Sequence, residues 1–294
     1  MSTARTAFSE RATTVARTPA GPVEYRLEGS LEGRDHRTVL VLHGGHLRAG
    51  LALGEEVFAD AGFTVLVPSR PGYGRTPLST GTTPAGFADA TAQLCRSLGV
   101  ERLAAVVGIS AGGRTALMLA ALHSHLVERV ILQSAVAFLP WPDRLMRLGG
   151  RAVFNARTEA GTWAIMRSLI HLAPALGLRL LLRSLSALPA RQVLAGLSPA
   201  ERATLTTLFT LMRSGHGFVA DMLPVPDCAA QVHQPALVIA TRHDRSVPFA
   251  HAESLASLLP NAELVESRAD SHMIWFGPDY PRIATKIRAF LAAG

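Results

Sequence analysis

The sequence predicts an α/β protein: a mostly parallel sheet flanked by helices and interrupted once by a run of helices. Short β-branched runs alternate with helical patterns, the arrangement of parallel strands joined by crossover helices. Between residues 139 and 233 no comparable strand occurs, and Pro140, Pro142, Pro174, Pro189, Pro199, Pro224 and Pro226 divide an otherwise helical pattern. The 294 residues are 48% hydrophobic and only 17% charged, which excludes a disordered chain and suits one large domain or one domain carrying an insertion.

In chain order, residues 23–27 read as an early strand. Residues 39–42 form a fully buried strand ending in His43-Gly44-Gly45-His46. The next strand, 64–67, meets Pro68 and then the glycine-rich turn Arg70-Pro71-Gly72-Tyr73-Gly74. A helix with Phe87, Ala90, Leu94 and Leu98 on one face leads into strand 103–107. The sharp turn Gly108-Ile109-Ser110-Ala111-Gly112 then opens a helix that runs to about His123. Strand 130–132 precedes the helical run, in which Ser198-Pro199-Ala200-Glu201 combines a capping box with proline at the first helical position. Strands 236–240 and 263–266 resume the pattern, and Ile283, Ile287, Phe290 and Leu291 give the closing helix one apolar face. The expected organisation is therefore a core in two parts, 1–138 and 234–294, around a helical cap at 139–233.

Charge and cysteines narrow the function classes. The net charge of +7 comes from 29 basic and 22 acidic residues, and Lys286 is the only lysine. That bias reads as coding composition, since phosphate-tracking surfaces use both basic residues, so no nucleic-acid partner is expected. Ten arginines against five acids fall at 139–233. Arg144, Arg147 and Arg151 share one helical face and Arg179 and Arg183 another, the pattern of solvated faces, although basic amphipathic stretches leave a membrane-surface role open. Met146, Met166, Met212, Met222, Trp141 and Trp163 give the cap apolar walls, for substrate or for packing against the core.

Cys95 and Cys228 stand outside disulfide or zinc spacing, and Cys95 lies on the apolar stripe of Phe87, Thr91, Leu94 and Leu98. The stretch 1–17, with Arg5, Arg11 and Arg17, lacks an apolar signal region, and the longest apolar candidate, 176–188, is broken by Arg179 and Arg183. A cytoplasmic protein without a membrane span is the expectation. No HExxH, GxGxxG or P-loop points to a metal or cofactor. The partner is a small-molecule substrate, and the oligomeric state stays open, with a homodimer as one option.

The chemistry concentrates at Gly108-x-Ser110-x-Gly112, flanked by a strand before and a helix after. The turn must be tight enough to expose the serine, so side chains two before and two after would collide with backbone. A serine hydroxyl needs a base, and the base an orienting acid. Two candidates follow later strands: Asp244 in Thr241-Arg242-His243-Asp244, and His272 in Asp270-Ser271-His272-Met273. Asp270 is too near His272 in sequence to orient it and reads as a loop cap. His43 reads as loop support, His46 as facing the pocket, His123 and His125 as helix-end residues, and His216 as part of a solvated cap loop.

Together these motifs resemble the α/β-hydrolase superfamily over residues 23–291: Leu42-His43-Gly44-Gly45, Arg70-Pro71-Gly72-Tyr73-Gly74, the elbow at Ser110, Asp244 and His272 in that order. The resemblance implies an eight-stranded sheet with the cap inserted after the sixth strand. It also implies Ser110 as nucleophile, His272 as general base and acid, and Asp244 as its orienting group, with the N–H groups of Ala111 and Gly45 as the oxyanion hole. His46, Trp141, Trp163 and Met273 are the expected substrate contacts. Two positions depart from many relatives: Ser271 stands where glycine often precedes the histidine, and Thr241 where glycine often opens the acid's turn. The implied activity is hydrolysis of a carboxylic ester, thioester or lactone of a small to medium apolar substrate through an acyl-enzyme. Carbon–carbon hydrolysis of β-diketones, acyl transfer and a slow-turnover, receptor-like binding role remain open.

Overall fold

The computed structural model describes residues 9–31 and 37–293, the side chains of Leu145 and Met146 excepted, so Arg5 and the wall position of Met146 lie outside the described residues. Its strands are β1 (Thr14–Thr18), β2 (Gly21–Glu28), β3 (Thr38–Leu42), β4 (Thr64–Pro68), β5 (Leu103–Ile109), β6 (Val130–Gln133), β7 (Ala236–Ala240) and β8 (Ala262–Glu266). The helices are α1 (Glu56–Ala59), α2 (Pro84–Ser97), α3 (Gly112–Leu122), α4 (Arg144–Val153), α5 (Glu159–Leu172), α6 (Pro174–Leu185), α7 (Ala190–Gly196), α8 (Pro199–Leu211), α9 (Gly217–Asp221), α10 (Ala250–Leu258) and α11 (Tyr280–Ala292).

One eight-stranded sheet runs in the order β1-β2-β4-β3-β5-β6-β7-β8. β1 and β4 pair antiparallel with β2, and every other pair is parallel. β3 to β7 are buried along their whole length, as their unbroken apolar runs require when helices cover both faces. One core layer joins Leu42, Leu66, Val106 and Leu132 to Phe87 and Leu94 of α2, Leu117 of α3 and Leu255 of α10. The other joins Val41, Val65, Val107 and Ile131 to Phe58 of α1, Ile283 and Ile287 of α11, and the inward faces of α5, α6 and α8. Cys95 and Cys228 are free and buried, and burial pushes both thiols up to about 12.

Helices α4 to α9 occupy the chain between β6 and β7. α8 starts with the expected capping box, in which Ser198 accepts from the Glu201 N–H and Glu201 from the Ser198 N–H. Three features depart from the sequence reading. β1 escapes it because Thr14–Thr18 is short, polar and at the sheet edge. β5 runs on through Gly108 and Ile109, so the sharp turn begins only at Ser110. Arg147 is half-buried with its Nη2 on the Pro142 carbonyl at 3.0 Å, so the face it shares with Arg144 and Arg151 is not wholly solvated.

Candidate active site

The parallel strands end together. Leu42 of β3 lies beside Gly108 of β5, and Ile109 beside Gln133 of β6, so the turns that follow are neighbours along one edge of the sheet. Ser110 sits there with φ of +51°, a conformation rarely stable for a residue with a side chain. Three backbone bonds hold it: its N–H donates to Gln133 O at 3.0 Å, and its carbonyl accepts from Gly113 and Val136 at 3.0 and 2.9 Å. The glycines are obligatory on steric grounds. A Cβ on Gly108 would stand 2.6 Å from the Gly113 Cα, and one on Gly112 would stand 2.1 Å from the Leu42 carbonyl oxygen. Ala111 occupies the N-cap of α3, where backbone N–H groups lack intrahelical partners and the helix dipole favours negative charge.

Asp244 follows β7 and His272 follows β8. The His272 Nδ1 lies 2.6 Å from the Asp244 Oδ2, while the Asp244 Oδ1 accepts from the Val247 N–H at 2.8 Å. Both carboxylate oxygens are thereby committed, and with Nδ1–H donating to Asp244 the lone pair is left on Nε2. Both side chains are buried. Thr241 donates its hydroxyl to the Ala269 carbonyl at 2.5 Å and so ties the Asp244 loop to the His272 loop, a bond that glycine could not make. Ser271 accepts from the Met273 N–H at 3.3 Å and closes the turn around the histidine. Ser134 donates to the His272 carbonyl at 3.0 Å, so residues 133 and 134 bond the backbones of Ser110 and His272 in succession.

The helical insert completes this arrangement. Residues just after α6 run as a short bridge in which Ser186 pairs antiparallel with Asp244, and the Ala187 N–H donates to His243 O at 2.8 Å. Leu185 accepts from the His272 N–H at 2.8 Å, and the Ser186 hydroxyl donates to the Asp270 carbonyl. Sequence reasoning missed both residues. The only local signal is a serine followed by Pro189 where an apolar helix stops.

On the other side of Ser110 lies the turn after β3. His43 supports it: its Nε2 accepts from the Arg70 N–H at 2.9 Å, its Nδ1 lies 2.8 Å from the Gly44 carbonyl, and its own carbonyl accepts from the Arg70 Nε at 2.7 Å. Burial, aided by the charge of Arg70, holds this imidazole well below its usual pKa, so it is neutral. A Cβ on Gly44 would lie 3.2 Å from the Ser110 Cβ, which places this backbone directly against Ser110. A Cβ on Gly45 would lie 2.9 Å from Phe218 of α9, an aromatic ring the sequence reading did not single out.

His46 has φ of +64° and stacks on Phe218, with Phe154 and Trp163 beside it. Its Nδ1 is 2.8 Å from the Ser214 Oγ, which also accepts from the Trp163 indole N–H at 2.7 Å. Trp141 is buried beside Ala111, Val136 and Val247 and donates to the Ser246 carbonyl at 2.8 Å. Trp163 and Met273 are both buried in the core layer on the α11 side. Each tryptophan N–H therefore ends on a protein acceptor, and their placement is accounted for by packing around the site. His216 is exposed at the N-cap of α9, and His123 lies 2.8 Å from Asp89 at the end of α3.

A buried ion pair fixes α9 to the core. Arg70 meets both oxygens of Asp221 at 2.5 and 2.8 Å, and the Tyr73 hydroxyl donates to the same carboxylate at 2.6 Å. Arg114 adds bonds to the carbonyls of Ala137 and Leu139 at 2.9 and 3.1 Å. Glu159 is buried at the start of α5, where it receives Arg213 and the N–H groups of Ser214 and Gly215. Among the described residues, no group of three or more His, Cys, Asp or Glu could hold a metal ion, and no helix is long and apolar enough to cross a membrane.

The sequence pattern described as alpha/beta hydrolase fold matches residues 37–278. An uncharacterized hydrolase of Bacillus subtilis (strain 168) is 28% identical over 271 residues, covering 90% of this chain and 94% of that protein. A pimeloyl-[acyl-carrier protein] methyl ester esterase of Aromatoleum aromaticum is 31% identical over 240 residues, covering 77% and 87%. Among solved structures, an alpha/beta hydrolase fold protein from Nakamurella multipartita superposes with a TM-score of 0.78 at 24% identity, covering 96% of this chain and all of that one. The enol-lactonase from Burkholderia xenovorans LB400 superposes with a TM-score of 0.69 at 22% identity, covering 95% of this chain and 100% of that one.

Proposed function

The chain belongs to the α/β-hydrolase family, and from that premise we propose that it is a serine hydrolase that cleaves a carboxylic ester, thioester or lactone through an acyl-enzyme. The observation that carries this reading is the 2.6 Å contact between His272 and an Asp244 carboxylate anchored on its far side, with the His272 carbonyl bonded to Ser134, next to the Gln133 carbonyl that holds a strained Ser110. The names of two similar proteins, a methyl ester esterase and an enol-lactonase, support the same bond class.

In this mechanism His272 Nε2 takes the proton from the Ser110 hydroxyl as Oγ attacks the substrate carbonyl. The oxyanion forms against the N–H groups of Ala111 and Gly45, and because these donors are already oriented, the stabilisation is usually the largest single contribution. Collapse expels the alcohol or thiol, which takes the proton from His272. Water then gives its proton to His272 and attacks the acyl carbonyl, Ser110 leaves with that proton, and the acid is released. Asp244 keeps Nδ1 protonated throughout. Residues 139–233 act as a cap, whose Trp141 and Phe218 pack against Ala111 and whose Trp163 and Phe218 pack against His46, which makes the substrate side mostly apolar.

The test is a panel of short esters, thioesters, lactones and β-diketones assayed with the wild type and with Ser110→Ala, alongside labelling by a fluorophosphonate probe. Ester or lactone turnover and labelling that both vanish in Ser110→Ala support the reading. Turnover retained in that variant would overturn the nucleophile, and turnover confined to β-diketones would overturn the bond class.

A further inference from the structure

The helical hairpin of α5 and α6 carries a surface that the hydrolytic site does not use. α6 turns Gly177, Leu178 and Leu182 inward. Leu176, Arg179, Leu180 and Arg183 recur at spacings of three and four along its exposed side, so leucine and arginine alternate on one stripe. Leu176 and Leu180 are 48% and 46% exposed. On α5, Ile165 and Leu172 lie two turns apart and are 73% and 87% exposed. The two helices approach closely, since a Cβ on Gly177 would stand 2.7 Å from the Ile170 Cγ1, and Leu172 and Leu176 bracket the turn between them at the hairpin's tip. Exposed leucines are ordinary singly, but four large aliphatics on one short hairpin are not.

Along this stretch of chain the charge has one sign. From residue 160 to residue 200 the chain contains no aspartate or glutamate, and it contains Arg167, Arg179, Arg183 and Arg191. Among the described residues, Arg179, Arg183 and Arg191 make no ion pair. Arg179 also rims an open groove of about 450 Å³ that it shares with Arg191 and Arg202, over the floor formed by Leu178 and Leu194. A second copy of this chain docked symmetrically here would set Arg179 and Arg183 against their own kind. An anionic, fluid, apolar-backed surface matches both features at once: aliphatic tips that find no rigid groove of their own and cations whose stems can lie along the boundary.

We infer that the outer face of the α5–α6 hairpin docks on an anionic lipid bilayer, with Ile165, Leu172, Leu176 and Leu180 entering the acyl boundary and Arg179 and Arg183 meeting the lipid phosphates. The inference stands apart from the hydrolytic reading, because none of these residues belongs to the candidate triad, the oxyanion turn or the expected substrate contacts.

The experiment is co-sedimentation of the full chain with extruded vesicles of phosphatidylglycerol and phosphatidylcholine in equal parts, against vesicles of phosphatidylcholine alone. Binding to the mixed vesicles, lost in high salt and absent from pure phosphatidylcholine, is expected. Arg179→Glu with Arg183→Glu, and separately Leu172→Asp with Leu176→Asp, should each lower the partition roughly tenfold or more, since one basic residue near the surface accounts for about a fivefold effect. Both variants should keep the wild-type melting temperature and the wild-type rate on a soluble short ester. The inference is overturned if the wild type fails to sediment with mixed vesicles, or if both variants sediment as the wild type does. It is equally overturned by retention on immobilised polyglutamate without vesicle binding, which gives the face to an acidic polypeptide. A dimer that both variants dissociate, again without vesicle binding, gives it to a second copy.

Discussion

The backbone N–H of His272 donates to the carbonyl oxygen of Leu185 at 2.8 Å, so the candidate base is positioned by the helical insert as well as by the sheet. Ser186 extends that seam, pairing with Asp244 and donating its hydroxyl to the carbonyl of Asp270, two residues before the base. A candidate triad on three strand-end loops thus depends on a fourth segment.

Ser186→Ala should therefore act on both stability and turnover. It removes the bond to the Asp270 carbonyl and a 3.0 Å bond from the Leu188 N–H, in a buried setting where unmet polar groups cost about 1–3 kcal/mol. A lower melting temperature is expected, with kcat reduced more than KM is raised. A fall in KM-controlled binding alone, with kcat intact, would show that the seam does not position His272.

Asp244→Asn should leave the fold in place and lower kcat by roughly 10⁴-fold, the magnitude known for a base held in the wrong tautomer. The amide oxygen can still accept from Val247, but its NH₂ group then faces His272 Nδ1 and draws the ring proton to Nε2. Steady-state kinetics together with a melting curve check this: the change should lie in kcat, and the melting temperature should shift little.

Two glycine substitutions should fail for different reasons. Gly112→Ala puts a methyl 2.1 Å from the Leu42 carbonyl oxygen, a backbone atom that cannot yield, so destabilisation of about 4 kcal/mol or more and poor soluble expression are expected. Gly45→Ala crowds the Phe218 ring, at 2.9 Å, with the Tyr73 hydroxyl at an ordinary 3.8 Å. It should fold and lose activity, and pairing it with Phe218→Ala should restore part of the loss in a double-mutant cycle. Strict additivity of the two would remove Phe218 from the roof of this turn.

Acid should unfold the protein early through its buried histidines. Burial lowers His46 and His251 from 6.5 to about 4, the latter helped by the charge of Arg114. Between these values the unfolded chain binds protons that the folded chain refuses, so stability is full above pH 6.5 and falls as the pH drops toward 4. Each such histidine contributes a slope of up to ~1.4 kcal/mol per pH unit. His251→Gln can still accept from the Ala137 N–H, which His251 Nδ1 receives at 3.1 Å, and should flatten the acid limb by about one proton. Melting temperature measured from pH 7.5 to 4 reads this directly, and an unchanged slope would remove His251 from the account.

The fold was legible because β3 to β7 are short, fully buried and mostly apolar runs, and the candidate site because Ser110 and Asp244 follow two of them and His272 follows the half-buried β8. The substitutions Thr241 and Ser271, which depart from many relatives, proved interpretable only with coordinates, as each makes a hydrogen bond that glycine lacks. Nothing in a one-dimensional pattern couples Arg70 to Asp221, 151 positions away, or Glu159 to the Ser214 N–H, 55 away. The Arg147 face misled for a related reason: its periodicity is that of a solvated helix side, but a neighbouring carbonyl claims the guanidinium. Local periodicity reports which way a residue faces on its own element and is silent about what another element brings to meet it.

The Arg70–Asp221 pair sets limits on how this architecture can be recombined. Arg70 is buried and bonded to the backbone of His43, so exchanging residues 139–233 for a segment that covers it without a carboxylate would leave its charge unpaired beside the turn after β3, a loss on the order of 3–5 kcal/mol. A graft from a relative would need to bring its own carboxylate to that point. The insert is modular along the chain but not energetically separable, because Arg70 in the sheet domain and Asp221 in the insert form one buried pair.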